Sequence, residues 1–482
     1  MPDIHFIRLS ACLALSWGLL VSCAGTLLSA GEEIDFNRDI RSILSAKCFH
    51  CHGPDARSRE ADLRLDTEEG LFGMEGAPGV VTPHQLEESE LYRRLIAADK
   101  DERMPPAESD LELTEEEIST LKKWIETGAN WSGHWAYLPL QMPDIPDVNL
   151  TASNVTDIDR FLLRKLEENE LAFSPEADPI TLARRLSFDL TGLPPDSGMV
   201  EAFLQNPSAQ EYERLVDRLL ASPQFGERLA MYWLDLVRYG DSIGYHSDNP
   251  QRISPYRDYV INSFNNNKPF DQFTREQLAG DLLPSPTQEQ IIATGYNRLN
   301  KKTEEGGAQP EEYLTKHAAD RVRTTSGAWL GITMGCAECH DHKYDPFTTK
   351  DFYSMASFFA DIQEVGHYRA GNHPPYINLD LDEELVKQQL RLEDQLSALK
   401  NPASDDKSLL EEERSSKIEK LETELAAVKQ KQEDVEKNGR KSMITVAVQP
   451  REMRILPRGN WLDKSGEVVQ PALPESLATE FP

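Results

Sequence analysis

Four of the six cysteines in this 482-residue chain fall into two runs of one pattern, Cys48-Phe49-His50-Cys51-His52 and Cys336-Ala337-Glu338-Cys339-His340. The other two, Cys12 and Cys23, lie in a leader-like N-terminus, so no thiol is left over to staple a core. Disulfide-framed secreted domains scatter their cysteines, and this chain does not. Two thiols two residues apart can each add to one vinyl group of a porphyrin. A histidine directly after the second brings an imidazole to the iron. Both runs therefore read as covalent haem c attachment sites, the first through Cys48 and Cys51 with His52, the second through Cys336 and Cys339 with His340.

Other uses of the same ligands compete with that reading. Zinc at the first run would need His50 and His84 to complete a tetrahedron, because paired cysteine knuckles are the usual arrangement. A haem needs a distal ligand instead, and Met104 in Arg103-Met104-Pro105-Pro106 offers a thioether about fifty residues on. Methionine opposite histidine raises the reduction potential, as suits an electron acceptor. The second run could equally form a metal knuckle from Cys336, Cys339 and His342, or a redox dithiol. His342 is too close to His340 to reach the opposite haem face, so a supporting or propionate-binding role is expected for it. His246, His317 and Met334 are the distal candidates there.

Chain organisation supports export. Arg8, the apolar stretch Ala11 to Val21 and Ser29-Ala30-Gly31 read as a signal peptide over 1–30. The run Leu20 to Gly25 resembles a lipobox, which would make Cys23 a membrane lipid anchor. Lysine and arginine total 51 against 82 acidic residues, a net charge of −31, which repels nucleic acid and makes it an unlikely partner class. The protein is expected to be mainly α. A small cytochrome c-like helical domain (31–133) precedes a linker (134–150) and a larger, mostly helical domain (151–362). A charged helical hairpin follows over 363–442, then the opening of a further domain over 443–482.

Local patterns carry these divisions. Ile40, Ile43 and Leu44 share one face of a helix running into Cys48. Thr114 and Glu117 form a capping box that opens a helix with Ile118, Leu121, Trp124 and Ile125 as its apolar stripe, stopped by Gly128. Leu385, Leu392, Leu396 and Leu399, then Ile418, Leu421, Leu425 and Val428, make two stripes broken at Asn401-Pro402, the mark of two antiparallel helices. Glu304-Glu305-Gly306-Gly307 and the loop with Asp235, Asp241 and Asp248 around Tyr239, Tyr245 and His246 are polar clusters most simply read as surface. Nucleotide, phosphate-loop and nucleophile-elbow motifs are absent.

At Lys47 to Pro54, Asp62 to Asp66 and Arg103 to Pro106 the sequence resembles the planctomycete-type cytochrome c domain. Arg184 to Leu186, Asp189 to Pro195, Tyr256 to Asp258, Glu276 to Asp281 and Cys336 to Pro346 resemble the uncharacterised helical domain that usually follows it. The resemblance implies an exported bacterial cytochrome of the periplasm or cell envelope, with His52 and Met104 as ligands of the first haem. It also implies a redox partner protein and, by genomic association, carbohydrate oxidation as one possible setting. Such proteins usually continue through another large domain. Arg451 to Pro482 resembles its opening, so the chain is expected to be C-terminally short. The rival reading is a non-catalytic scaffold with one haem and a structural metal knuckle at the second run.

Overall fold

The computed structural model describes residues 34–478, apart from 57, 75, 150–154, 246–247, 369–372 and 402–410. The expected leader with Cys23, and His246, lie outside the described residues. Among the described residues no helix is long and apolar enough to cross a membrane. The protein is mainly α, and among the described residues strands occur only as three antiparallel pairs of two or three residues. It divides into two units, one up to Leu138 and one from Pro139 onward.

The first unit is built by its helix ends and one apolar core. Asp35 accepts the Arg38 backbone N–H at 2.7 Å and opens a wide π-helical turn, Phe36–Ile40, that continues as the helix Arg41–Lys47. Phe36, Ile40, Ile43 and Leu44 all lie in the core. The capping box forms as read: the Thr114 N–H donates to Glu117 at 2.7 Å, and the Glu117 N–H donates to the Thr114 hydroxyl at 3.1 Å. It starts the helix Glu115–Glu126, which buries Leu121, Trp124 and Ile125. Gly128, at φ +117°, then turns the chain away, a conformation few side chains tolerate. The Phe36 ring lies 5.8 Å from Trp124 and 4.5 Å from Trp131, tying the two ends of the unit together. Each such large apolar side chain contributes about 1.5–3 kcal/mol by leaving water.

The second unit holds several helical clusters. Pro179–Thr191, Ser197–Gln205 and Ala209–Leu220 pack around Ala183, Phe203, Leu215 and Leu219. A larger core gathers Trp233, Tyr256, Tyr259, Phe273 and Tyr296 from the helices that follow. Its polar tips are satisfied internally, with Trp233 Nε1 and the Tyr256 hydroxyl donating to Gln277 Oε1 at 3.0 and 2.6 Å. Farther along, the helices Glu383–Lys400 and Glu411–Asn438 pair through Leu392, Leu425 and Val428. The strands Tyr376–Asn378 and Lys441–Met443 close the base of that hairpin, with Asn378 opposite Lys441.

Segments on either side of 362 and 443 pack together. Met443 belongs to the larger core, Ile362 bridges Ala447, and Arg298 Nε donates to the Ile444 carbonyl at 2.7 Å. The hairpin therefore leaves from and returns to one helical domain, and the strand pair Met453–Arg454 with Val468–Val469 packs on the helix Thr349–Ser357. The segments flanking the hairpin are too short to show helical periodicity, and their partners lie some 80 residues away.

Candidate functional site

The helix Arg41–Lys47 passes through Cys48 into a single further turn, Phe49–His52, because the Cys48 and His52 N–H groups donate back to Leu44 and Cys48 carbonyls at 2.8 Å. Phe49 is buried in the core, which points Cys48, Cys51 and His52 away from it and toward a cavity of about 280 Å³. The segment 60–65 hydrogen-bonds to the motif, Glu60 N–H to Cys51 and Leu65 N–H to His52, and supplies Leu63 and Leu65 to the cavity wall. The helix Glu90–Leu95 contributes Leu91, Arg94 and Leu95. The backbone of Met104 is held by its N–H donating to the Arg94 carbonyl at 3.0 Å, and Met104 lines the same cavity. All four residues singled out at the first motif thus surround one largely hydrocarbon space.

Electrostatics around the cavity match a neutral, apolar occupant with polar edges. Burial pushes the Cys48 thiol up to about 12, with Cys51 adding to the effect. His52 Nδ1 lies 3.2 Å from the Glu60 carbonyl, an oxygen that can only accept. Nδ1 is therefore the nitrogen placed to donate, which leaves Nε2 as the ring nitrogen for another partner. Arg94 Nε donates to Glu90 at 2.8 Å, which fixes a guanidinium at the cavity edge beside Lys47. Nothing in the sequence pattern singled out Glu60, Arg94 or the 90–95 wall, since their roles arise only when distant segments close.

The residues fit a haem c. Two free thiols, an imidazole oriented by its second nitrogen, and a half-buried thioether share an apolar cavity, with cations at its edge for carboxylates. Zinc fits less well. His84 is engaged at the end of the helix Glu115–Glu126, with Nδ1 3.2 Å from the Glu126 carbonyl, and His50 is exposed. Among the described residues no three His, Cys, Asp or Glu side chains converge on a common point.

The second motif is arranged differently. Gly335–Glu338 is a short 3-10 turn, and Cys336, Cys339 and His340 are exposed. His340 Nδ1 faces the Asp341 carbonyl at 2.8 Å. Glu338, between the cysteines, pairs with Arg323, and its carbonyl accepts the Tyr353 hydroxyl at 3.1 Å. A cavity of about 410 Å³ lies on the Glu338 side, lined by Phe352, Tyr353 and Met453 among others, but Cys336, Cys339 and His340 do not line it. His342 is buried, and its Nδ1 accepts the Tyr344 and Asp345 N–H groups at 3.3 and 2.9 Å, so it shapes the loop that follows the motif. His317 and Met334 are both buried; His317 Nε2 is 3.2 Å from the Lys301 carbonyl, and its Nδ1 is 3.4 Å from Glu364.

A small helical unit with a C-x-x-C-H turn, and a methionine lining the same cavity as its histidine, is of the c-type cytochrome class. Comparison with known families agrees. Residues 48–108 match the family described as Planctomycete cytochrome C, and residues 157–364 match one described as Protein of unknown function (DUF1549), in that order. The chain thus carries a planctomycete cytochrome c region followed by that uncharacterised domain. No curated protein and no solved structure matches it.

Proposed function

We propose that this protein is an exported electron-transfer cytochrome of the cell envelope. Its first unit would hold one haem c, bonded through Cys48 and Cys51, with His52 and Met104 as the residues that would ligate its iron. One observation carries the reading: Cys48, Cys51, His52 and Met104 line a single apolar cavity. Haem bound there would supply a one-electron couple. The Glu60 carbonyl would hold the His52 ring in place through Nδ1, and the wall of Leu63, Leu65, Leu91 and Leu95 would exclude water. The Arg94 and Lys47 side chains would meet carboxylates at the edge. Electrons would pass to a redox partner protein outside the cytoplasm, consistent with the leader read over 1–30, and lipid anchoring through Cys23 would keep both at one membrane face.

The test is an alkaline pyridine haemochrome assay with the mass of the denatured chain, on protein matured in a cytochrome-competent host. One covalent haem per chain is expected, reducible and reoxidisable. A colourless chain of unmodified mass would overturn the reading.

A further inference from the structure

A cavity of about 590 Å³ in the second unit belongs to neither cysteine motif. It is within the usual size range of small-molecule sites, about 300–1,000 Å³. Two polar stretches of the sequence meet there. Asn249 Nδ2, from the loop that carries Asp241 and Asp248, donates to Glu304 at 2.7 Å, and both residues line the cavity. The base of the helical hairpin supplies the opposite wall, with Tyr376, Glu436, Lys437 and Lys441.

The charge of this wall runs against the rest of the molecule. Arg252, Lys302, Lys437 and Lys441 line it, against the carboxylates of Glu304 and Glu436, in a chain of net charge −31. Lys441 is already matched, its Nζ 2.6 Å from Glu436 and 4.5 Å from the centre of the Tyr376 ring. Arg252 lies over the same ring at 5.7 Å. Lys302 is different. It is 5% exposed, and its Nζ donates to the Gln251 side chain and to the Arg298 carbonyl. Among the described residues no carboxylate lies within ion-pair distance of it, and a third hydrogen has no acceptor. Behind it, Arg298 is 1% exposed with Nη2 lacking a hydrogen-bond partner among the described residues. A buried cation without a counter-charge is costly, and an anion arriving from solvent would complete it.

We infer that this cavity binds a small hydroxylated organic carboxylate, with Lys302 receiving the carboxylate and Arg252 at the mouth. Glu304 and Gln251 offer acceptors for hydroxyl groups. The carboxylates on the rim disfavour a dianionic phosphate. Burial, then the neighbouring guanidiniums of Arg298 and Arg321, push the Lys302 ammonium down to about 7 against the opposing pull of Glu364, and a bound carboxylate would favour its charged form. The site lies wholly in the second unit and is independent of the haem reading.

The experiment is a ligand-observed NMR titration of the full chain with D-glucuronate, with D-glucose and inorganic phosphate as comparison ligands. Saturable binding of glucuronate at millimolar or lower concentration is expected, and glucose should bind at least tenfold more weakly. Lys302→Met should weaken glucuronate at least tenfold. Arg252→Ala, at an exposed position that leaves the core untouched, should weaken it several-fold. Circular dichroism checks that each variant remains folded; if Lys302→Met unfolds, Arg252→Ala decides alone. Absence of saturable glucuronate binding, equal binding of glucose, or wild-type affinity in the folded variants would overturn the proposal. Tighter binding of phosphate than of glucuronate would overturn the assignment to a carboxylate.

Discussion

The helix that leads into Cys48 buries hydrocarbon, whereas the helix that precedes Cys336 buries charge. Phe36, Ile40, Ile43 and Leu44 enter an apolar core, and the motif that follows faces an apolar cavity. Pro310–Thr325 instead buries His317 and Arg321, and Arg321 meets Glu364 at 2.8 Å with both side chains 1% exposed. Burial alone would raise the Glu364 carboxyl, but Arg321 and His317 hold it well below the ordinary range. Arg451 reaches the same carboxylate at 2.8 Å. The motif after this helix sits on an exposed turn. The same five-residue pattern thus stands on two foundations. An apolar wall can enclose a porphyrin, while the buried ion network of Arg321, Glu364 and Arg451 fixes the course of the chain.

The largest expected effect breaks or keeps the contrast outright. Replacing Cys48 and Cys51 together by serine should abolish the covalent haem of the first unit, read as haemochrome absorbance per chain. Replacing Cys336 and Cys339 should leave the haem count unchanged; a halved count would show that the exposed motif carries haem and end the contrast.

Next in size, Glu364→Gln should cost the second unit about 3–5 kcal/mol in denaturant unfolding, because it strands buried guanidiniums. Ile40→Ala should cost the first unit about 2–5 kcal/mol through the cavity it leaves, and that cost should not vary with salt. Equal insensitivity to salt and pH in both variants would argue against a charge-based second unit.

A pH series sharpens the same point. Lys302 is lowered from 10.5 to about 7 by burial. Between those values the unfolded chain holds a proton that the folded one has released, so stability from this group rises with pH through that window. Its penalty is fully present below about pH 7. Lys302→Met should remove that increment, on the order of a few kcal/mol between pH 6.5 and pH 10. Parallel stability curves for the two proteins would contradict it. The smallest effect is Thr114→Ala, which removes one arm of the capping box and should cost the first unit about 1 kcal/mol.

What the sequence made legible follows the range of the interactions. Cys48, Cys51, His52 and the Thr114–Glu117 box are local patterns, and they stand out in a single chain. Met104 was visible because a methionine between charge and proline is conspicuous. The hairpin helices were visible because leucine recurs at helical spacing. The Glu60 carbonyl behind His52 was not legible, since any residue there has a carbonyl. Lys302 was not legible either: within Lys301-Lys302-Thr303-Glu304 it looks like surface, and only the return of residues 441–445 buries its surroundings. The second motif is legible as a spacing alone. Its spacing satisfies the attachment chemistry, but a pocket is made by residues far away in the chain.

The strand pair at the foot of the hairpin has a consequence for how this architecture can vary. Asn378 faces Lys441, the Leu379 N–H donates to the Arg440 carbonyl at 2.8 Å, and Asp380 pairs with Arg440 at 2.9 Å. The sixty-residue excursion therefore starts and finishes at one stitched point. Its helices could lengthen, shorten or be exchanged by whole turns while both anchor strands stay in register. Evolution can resize this arm as it would a surface loop, and an engineer could graft a reporter at its tip without disturbing the parent domain.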